Sequence, residues 1–272
     1  MSDRSGELKE IEEIKSIPRS VLYEMIREAR NPRDGRLMAS FFLLANRCSE
    51  GLAVGPDDVS KEVSVEILDG ELTEMADQLG RLRTEVDVGR SLGRDVSSAQ
   101  EQLGRLFDEY QEMNELKKRF YTPGQALDAA DEIVKKYPQT LVYVVKLLTL
   151  KRKKRVPRNI PIPVIDPLAP LFVDAVEKME DRLFPISRKR TWVLFTRAGI
   201  YDFYKEKDEM VPKSPLRHAR LTEVSNAMNP LQINRFAGWK ISGTGDHYIH
   251  MRWSDYVPAL VKVARAAPPL EV

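Results

Sequence analysis

Apolar residues recur at helical spacing along most of the chain, which predicts a mostly helical protein. Pro18 opens a first helical pattern, and a second is expected from Leu37 to about Leu52, after a turn at residues 31–35. The segment LVYVVKLL at 141–148 is β-branched and apolar and predicts a strand. IPIPV at 160–164 predicts a return strand or an extended segment, whose two prolines place it at a sheet edge. Together these segments predict a β-hairpin whose tip is the basic run LKRKKRVPRN.

Residues 66–120 carry two series of apolar residues at alternating spacings of three and four. Extending the first series past Val86 reaches Gly89 and Gly93, which are poor helix formers, so the two series do not join. We therefore predict two helices of about 20 residues that form an antiparallel coiled-coil hairpin about 30 Å long. A single bent helix that pairs with another subunit is the alternative. The series are Leu68, Leu72, Met75, Leu79, Leu82 and Val86, and then Leu92, Val96, Ala99, Leu103, Leu106, Tyr110 and Met113.

From Pro167 onward the pattern is helical again, and the run after Tyr248 predicts an amphipathic terminal helix. The predicted fold class is α+β, mostly helical, with a small antiparallel β-hairpin and an inserted helical hairpin. We expect one domain over 16–272, interrupted at 66–120 by the hairpin, and a flexible tail at 1–15.

The composition is that of a globular protein, with 42% hydrophobic and 31% charged residues among 272. No apolar run is long enough to span a bilayer and no secretory signal is visible, so we expect a cytoplasmic protein that does not bind membranes. Cys48 is the only cysteine and there are three histidines, which excludes an internal disulfide and leaves little for a metal site. We therefore expect neither a metal nor a cofactor.

Charge is distributed unevenly, although the net charge is only +2. Residues 71–119 carry 8 basic and 11 acidic side chains, a net charge of −3, while 146–255 carry 21 and 12, a net charge of +9. A basic half predicts a domain that binds phosphates on one face. The acidic hairpin is better suited to contact with protein.

The C-terminal region contains residue types that suit cleavage of a phosphodiester. The segment SPLRHARLTEVSNAMNPLQINRFAGWKISGTGDHYIH contains Arg217-His218, Gly238-Trp239 and Tyr248. A tyrosine can attack the phosphate, and arginines can neutralise the transition state without a metal. This pattern resembles the end of the catalytic domain of tyrosine recombinases, the lambda-integrase family.

The resemblance implies that Tyr248 is the nucleophile, that Arg217 is one of two phosphate clamps and that His218 supports it. Trp239 would hydrogen-bond a phosphate oxygen. The segment LLANRCSEGLAVGPDDV resembles the family's first-arginine block, which makes Arg47 the other clamp and Glu50 the acidic group that orients it. Ala45 stands where that block usually has glycine. An alternative alignment over 122–133 lacks an arginine and is rejected, so the family's domain would be interrupted by the helical hairpin.

Lys151 matches the family's β-hairpin lysine, the general acid, with Lys153 as an alternative. Ser214 stands where the family usually has histidine, so either Lys213 takes that role or Lys151 and Trp239 carry the chemistry with slow or lost turnover. Further DNA contacts are expected from basic side chains at Lys153, Lys154, Arg155, Arg220 and Lys240.

The function implied is site-specific recombination or integration of double-stranded DNA through a 3′-phosphotyrosyl intermediate. A tetramer on DNA and a monomer or dimer in solution are expected, near the nucleoid, with archaeal viral or plasmid integrases the most similar in phrasing. Only about 36 residues precede the helix of Arg47, too few for the family's N-terminal core-binding domain.

Three other functions stay open at this point. The chain could be a recombinase-like DNA-binding protein without catalysis, or a relaxing enzyme similar to type IB topoisomerases. A coiled-coil scaffold would explain 66–120 but not the spacing from Arg217 to Tyr248.

The terminal helix could pack on a neighbouring protomer, as in the family, or on its own core.

Overall fold

The computed structural model describes residues 16–148, 157–206, 210–239 and 251–270. Within these ranges the protein has twelve α-helices and a three-stranded antiparallel sheet. This confirms the predicted fold class, mostly helical α+β with a small antiparallel sheet. None of the described helices is both long and apolar enough to cross a membrane. The helices are α1 Arg19–Arg27, α2 Pro32–Leu43, α3 Cys48–Gly51, α4 Glu66–Ser91, α5 Ser97–Phe120, α6 Ala126–Lys136, α7 Ala169–Glu177, α8 Arg188–Arg197, α9 Asp202–Lys205, α10 Pro215–Ser225, α11 Pro230–Ala237 and α12 Val257–Ala266. The strands are β1 Val59–Val63, β2 Leu141–Leu148 and β3 Pro157–Pro163.

The sheet has the order β1-β2-β3, and β2 pairs antiparallel with both neighbours. The predicted hairpin and its proline-rich edge strand are confirmed, with pairing from Val142↔Pro163 to Leu148↔Pro157. We did not predict β1, whose sequence VSKEV has polar residues in the middle and thus a weak strand pattern. The polar run at the hairpin tip, 149–156, lies outside the described residues.

The two faces of β2 pack on different parts of the chain. Tyr143 and Val145 belong to the main core, where the Tyr143 ring lies edge-on to Phe172 of α7 at 5.9 Å. Val142 and Val144 on the other face contact Val257 and Val261 of α12. The terminal helix therefore packs on its own chain, which is one of the two arrangements that the sequence left open.

Helix α2 forms the centre of the main core, and nine of its twelve residues are buried. It ends at Leu43, so the prediction of one helix continuing to Leu52 was wrong. Ala45 has a φ of 43°, in the left-handed region that a right-handed helix cannot contain. Arg47 consequently lies at the start of the separate short helix α3.

Helices α4 and α5 form the predicted antiparallel hairpin within one chain. Lys117 pairs with Asp69 at its base, while Val96 lies against Gly89 at its tip. All the predicted seam residues are buried or half-buried except Leu92, which is 58% exposed because it lies beyond the end of α4. The base packs on α6, where Ile133 is fully buried, and on α12 through an Arg265–Glu71 pair at 3.1 Å.

A buried ion network joins α1 to α10. Arg19 donates two hydrogen bonds to Asp166, at 2.7 and 3.1 Å, and its Nε donates to Glu223 at 2.6 Å. Arg220 lies 3.5 Å from Asp166, and both arginines stack over the ring of Phe42. Burial alone would raise the pKa of Asp166, but attraction to Arg220 and Arg19 outweighs it and holds the pKa below its ordinary value.

Replacing Asp166 with asparagine should lower the free energy of unfolding by about 3–5 kcal/mol, because two buried guanidiniums lose their shared counter-charge. Since the pKa of Asp166 is depressed, its contribution is complete above the unfolded value of about 3.9 and is lost as the pH falls through the folded value. Urea unfolding at several pH values measures both effects. Asp174→Asn, which removes a half-exposed partner of Arg36 and Lys178, is the control and should cost less than about 1 kcal/mol. Equal losses in the two variants would contradict the role of Asp166.

Two glycines of α4 should respond oppositely to alanine. A Cβ at Gly80 meets nothing within 4 Å, so Gly80→Ala should stabilise the protein by about 1 kcal/mol through helix propensity. A Cβ at Gly89 would lie 2.4 Å from a methyl group of Val96, so Gly89→Ala should lose that gain at the hairpin turn. Thermal unfolding of the two variants tests this, and equal stabilisation would show that the turn is loosely packed.

Candidate functional site

Glu50 is the centre of the candidate site. Arg47 precedes α3 as its N-cap, and its backbone N–H donates to the Glu50 carboxylate at 3.1 Å. The Arg47 side chain also donates to Glu50, at 2.9 Å, and stays 27% exposed, while the Glu50 side chain is 1% exposed. The first predicted clamp and its predicted orienting group are therefore in direct contact.

Two further guanidiniums approach the same carboxylate. Arg158 of β3 donates to Glu50 at 3.1 Å, and Arg217 of α10 lies 3.6 Å from it. Both arginine side chains are 7% exposed. Arg47, Arg158 and Arg217 come from distant parts of the sequence, and with Glu50 they form what we call the arginine cluster.

Backbone carbonyl groups hold the two buried arginines in place. The Ala45 carbonyl accepts from Arg158 at 3.2 Å and from Arg217 at 3.0 Å. Arg217 also donates to the Ala237 carbonyl at 2.5 Å, and Arg158 donates to that of Phe236. The left-handed backbone at Ala45 ends α2, so its carbonyl takes no further part in that helix and can accept from both arginines.

The cluster carries an excess of positive charge, because three guanidiniums and one carboxylate sum to +2. Burial, together with repulsion from Arg158 and Arg47, lowers the pKa of Arg217 to about 10. Burial also lowers the pKa of Arg158. For Glu50, burial is outweighed by attraction to Arg158 and the hydrogen bond from Arg47, so its pKa lies below the ordinary value. An anion bound beside these groups would relieve the repulsion among the cations.

Trp239 is placed beside the cluster by the end of α11. Gly238 caps that helix in the left-handed conformation, with a φ of 67°, and the Trp239 backbone N–H donates to the Asn234 carbonyl at 2.8 Å. The indole is 45% exposed and lines a cleft of about 670 Å³ together with Arg158. Tyr121, at the base of the helical hairpin, also lines this cleft.

A second cleft, of about 390 Å³, is lined by Arg217, Lys213 and Ser214. Ser214 precedes α10, and its carbonyl accepts from the His218 N–H at 3.0 Å. Its side chain caps no backbone N–H of the helix. Lys213 is exposed, and His218, which follows Arg217 directly, is half-buried. Lys213 and Ser214 therefore line the same cleft as Arg217, and their roles in the reaction stay predictions.

Arg220 requires a correction. It was predicted to contact DNA, but it is 1% exposed, and its guanidinium is paired with Asp166 and Glu223 inside the core. Arg220 shares the carboxylate of Asp166 with Arg19 of α1, whereas Arg217 approaches Glu50.

Six of the predicted residues cannot be placed. Tyr248, Lys151, Lys153, Lys154, Arg155 and Lys240 lie outside the described residues. The predicted nucleophile, general acid and hairpin-tip contacts therefore stay predictions.

Arg158 is a member of the site that the sequence interpretation missed, since it was counted with the basic turn. Strand alternation was the signal that could have found it, because Arg158 is in phase with Ile160 and Ile162, which face the core. A charged residue on the buried face of a strand requires a partner, and Glu50 is that partner.

Comparisons of the chain with protein-family models, with curated proteins and with solved structures gave no match. Among the described residues, no group of three or more His, Cys, Asp or Glu side chains is arranged to hold a metal ion.

Replacing Glu50 with glutamine should lower the free energy of unfolding by about 3–5 kcal/mol, because the repulsion among three guanidiniums is then uncompensated. Sulfate should restore part of the loss, since the anion supplies charge to the same groups. Thermal unfolding in sulfate and in chloride of equal ionic strength measures this rescue. Glu101→Gln, at an exposed pair with Arg105 on α5, is the control and should change stability little and show no specific rescue. Equal sulfate effects in both variants would contradict an anion site at the arginine cluster.

Proposed function

We propose that this protein cleaves and rejoins double-stranded DNA through a tyrosine nucleophile, as a tyrosine recombinase. Tyr248, after losing its phenolic proton to solvent, attacks the scissile phosphorus and displaces the 5′-oxygen. Arg47 and Arg217 stabilise the charge that develops, and Trp239 positions the phosphate. Lys151 protonates the leaving 5′-oxygen. The phosphotyrosyl bond conserves the energy of the broken phosphodiester, so that a 5′-hydroxyl can later attack it and release the tyrosine.

One observation carries the proposal. Arg47 and Arg217 are 170 positions apart, yet both approach the single carboxylate of Glu50. The resemblance to tyrosine recombinases implies that these three residues are two phosphate clamps and their orienting acid. Their convergence supports that assignment, because a clamp requires its two cations at one place.

The backbone gives a second, independent support. Ala45 occupies the position where the resembled arginine block usually has glycine, and its φ of 43° lies in the region that favours glycine. Gly238, of the Gly-Trp pair, has a φ of 67°. Both positions therefore have the conformation that a glycine in the pattern would provide.

Exchange of cleaved ends between two duplexes would give recombination or integration, with a tetramer assembled on the DNA. The acidic faces of the helical hairpin are suited to contacts between protomers rather than to phosphates. Arg265 and Lys136 already neutralise some of that acidity within the chain.

A recombinase-like protein that binds DNA without cleaving it is the second candidate, and Ser214 is the observation that favours it. A serine beside Arg217 supplies neither the charge nor the proton acceptor expected there. Lys213 is the nearest cation in sequence that could replace it.

Incubation with duplex DNA that carries nicks near the cleavage point should trap a covalent adduct, visible on a denaturing gel and insensitive to chelator. Tyr248→Phe should abolish the adduct and leave DNA binding intact, because it removes only the attacking oxygen. Tyr110→Phe, on α5 of the helical hairpin and in neither of the two clefts, is the matched control and should retain the adduct. Adduct formation by Tyr248→Phe would exclude Tyr248 as nucleophile. DNA binding with no adduct from the wild-type protein would instead favour the non-catalytic candidate.

A further inference from the structure

The smaller cleft has features that the proposed cleavage reaction does not use. It lies between α8 and the start of α10, and its walls include Phe41, Phe195, Tyr201 and Trp192. Its volume of about 390 Å³ falls within the range of small-ligand pockets. A cleft of this size can enclose a flat ring system.

Trp192 is the most unusual residue of this cleft. It is 57% exposed although it is large and apolar, and its ring is tilted by 35° to that of Tyr201 at a centroid distance of 6.3 Å. Phe41 and Phe195 are buried in edge-on contact at 5.6 Å. A rigid aromatic floor thus supports an exposed indole, which is the arrangement that stacks on a planar ring from solution.

The charges around the cleft select for an anionic ligand. Arg188, Lys189 and Lys213 are exposed, and within the described part of the chain none of them is paired with a carboxylate. The described lining residues include no acidic side chain. Aromatic rings interleaved with unpaired cations are typical of surfaces that bind single-stranded nucleic acid.

The cleft also shares Arg217 with the arginine cluster, so a phosphate held there would place its neighbouring nucleotide at the opening. A base stacked in a duplex cannot enter a concave cleft unless it leaves the stack. Exchange of cleaved strands leaves bases near the break transiently without partners, and such bases need a stacking surface.

We propose that the cleft formed by Trp192, Tyr201, Arg188, Lys189 and Lys213 binds an unpaired DNA base next to the phosphate held by the arginine cluster. This inference rests on the proposed function and adds to it a binding site for the displaced strand. The indole of Trp192 stacks on the base, and the three cations contact the adjoining backbone.

Fluorescence anisotropy of the full chain tests the site, with a labelled duplex that contains a short central bubble and a fully paired duplex as probes. The wild-type protein should bind the bubble more tightly. Trp192→Ala should weaken bubble binding about tenfold and leave duplex binding unchanged, since stacking on an unpaired base is lost. Trp192→Phe should keep most of the preference. Phe107→Ala, at an exposed aromatic on α5, is the matched control and should behave as wild type.

Equal weakening of both probes by Trp192→Ala, or no weakening of either, would overturn the inference. The adduct assay separates this result from failure of the proposed function. An adduct without a bubble preference removes only the base-binding site. A Trp192-dependent bubble preference without any adduct keeps the site and removes the cleavage reaction.

Discussion

The structure depends on one buried carboxylate. Glu50 is enclosed by the protein, and so are Arg158 and Arg217, and each of these charges would be unfavourable without the others. Because the three residues belong to α3, β3 and α10, their pairing also decides where these elements meet. The half-buried Arg47 then joins the same carboxylate from the surface, so the folding requirement and the candidate phosphate site share the same atoms.

Helix α10 is fixed at two points three residues apart. Arg217 joins it to Glu50 and to the carbonyl groups of Ala45 and Ala237, while Arg220 joins it to Asp166. The first contact faces the candidate site and the second faces the core, so the helix has little freedom to rotate. This double attachment explains why two arginines of one short segment have different roles, although in the sequence both look like residues that contact phosphates.

Local patterns predicted the helical hairpin, β2 and the proline-bearing edge strand well, because spacing and turn chemistry act within a few residues. The break after α2 was not predictable in this way, since Ala45 carries no glycine or proline signal and its conformation is stabilised by contacts with Arg158 and Arg217. The approach of both Arg47 and Arg217 to Glu50 was expected only from the resemblance to a known family. Arg158 and Arg220 show the limit of prediction from sequence, because partners distant in the chain, Glu50 and Asp166, decide whether these arginines are buried.

The charge of the arginine cluster bears on the proposed chemistry. A phosphodiester carries a charge of −1, and attack by a tyrosine oxyanion produces a transition state of charge −2. A cluster with net charge +2 in a buried setting balances the transition state better than the ground state, and such a difference in binding accelerates a reaction. The lowered pKa of Arg217 is consistent with this, because repulsion among the cations favours any bound anion and favours the more highly charged one most. In the proposed reaction, Ser214 does not supply the positive charge that a histidine could carry at that position. This loss matters less here than at a site with fewer arginines, because Arg158 contributes a third cation.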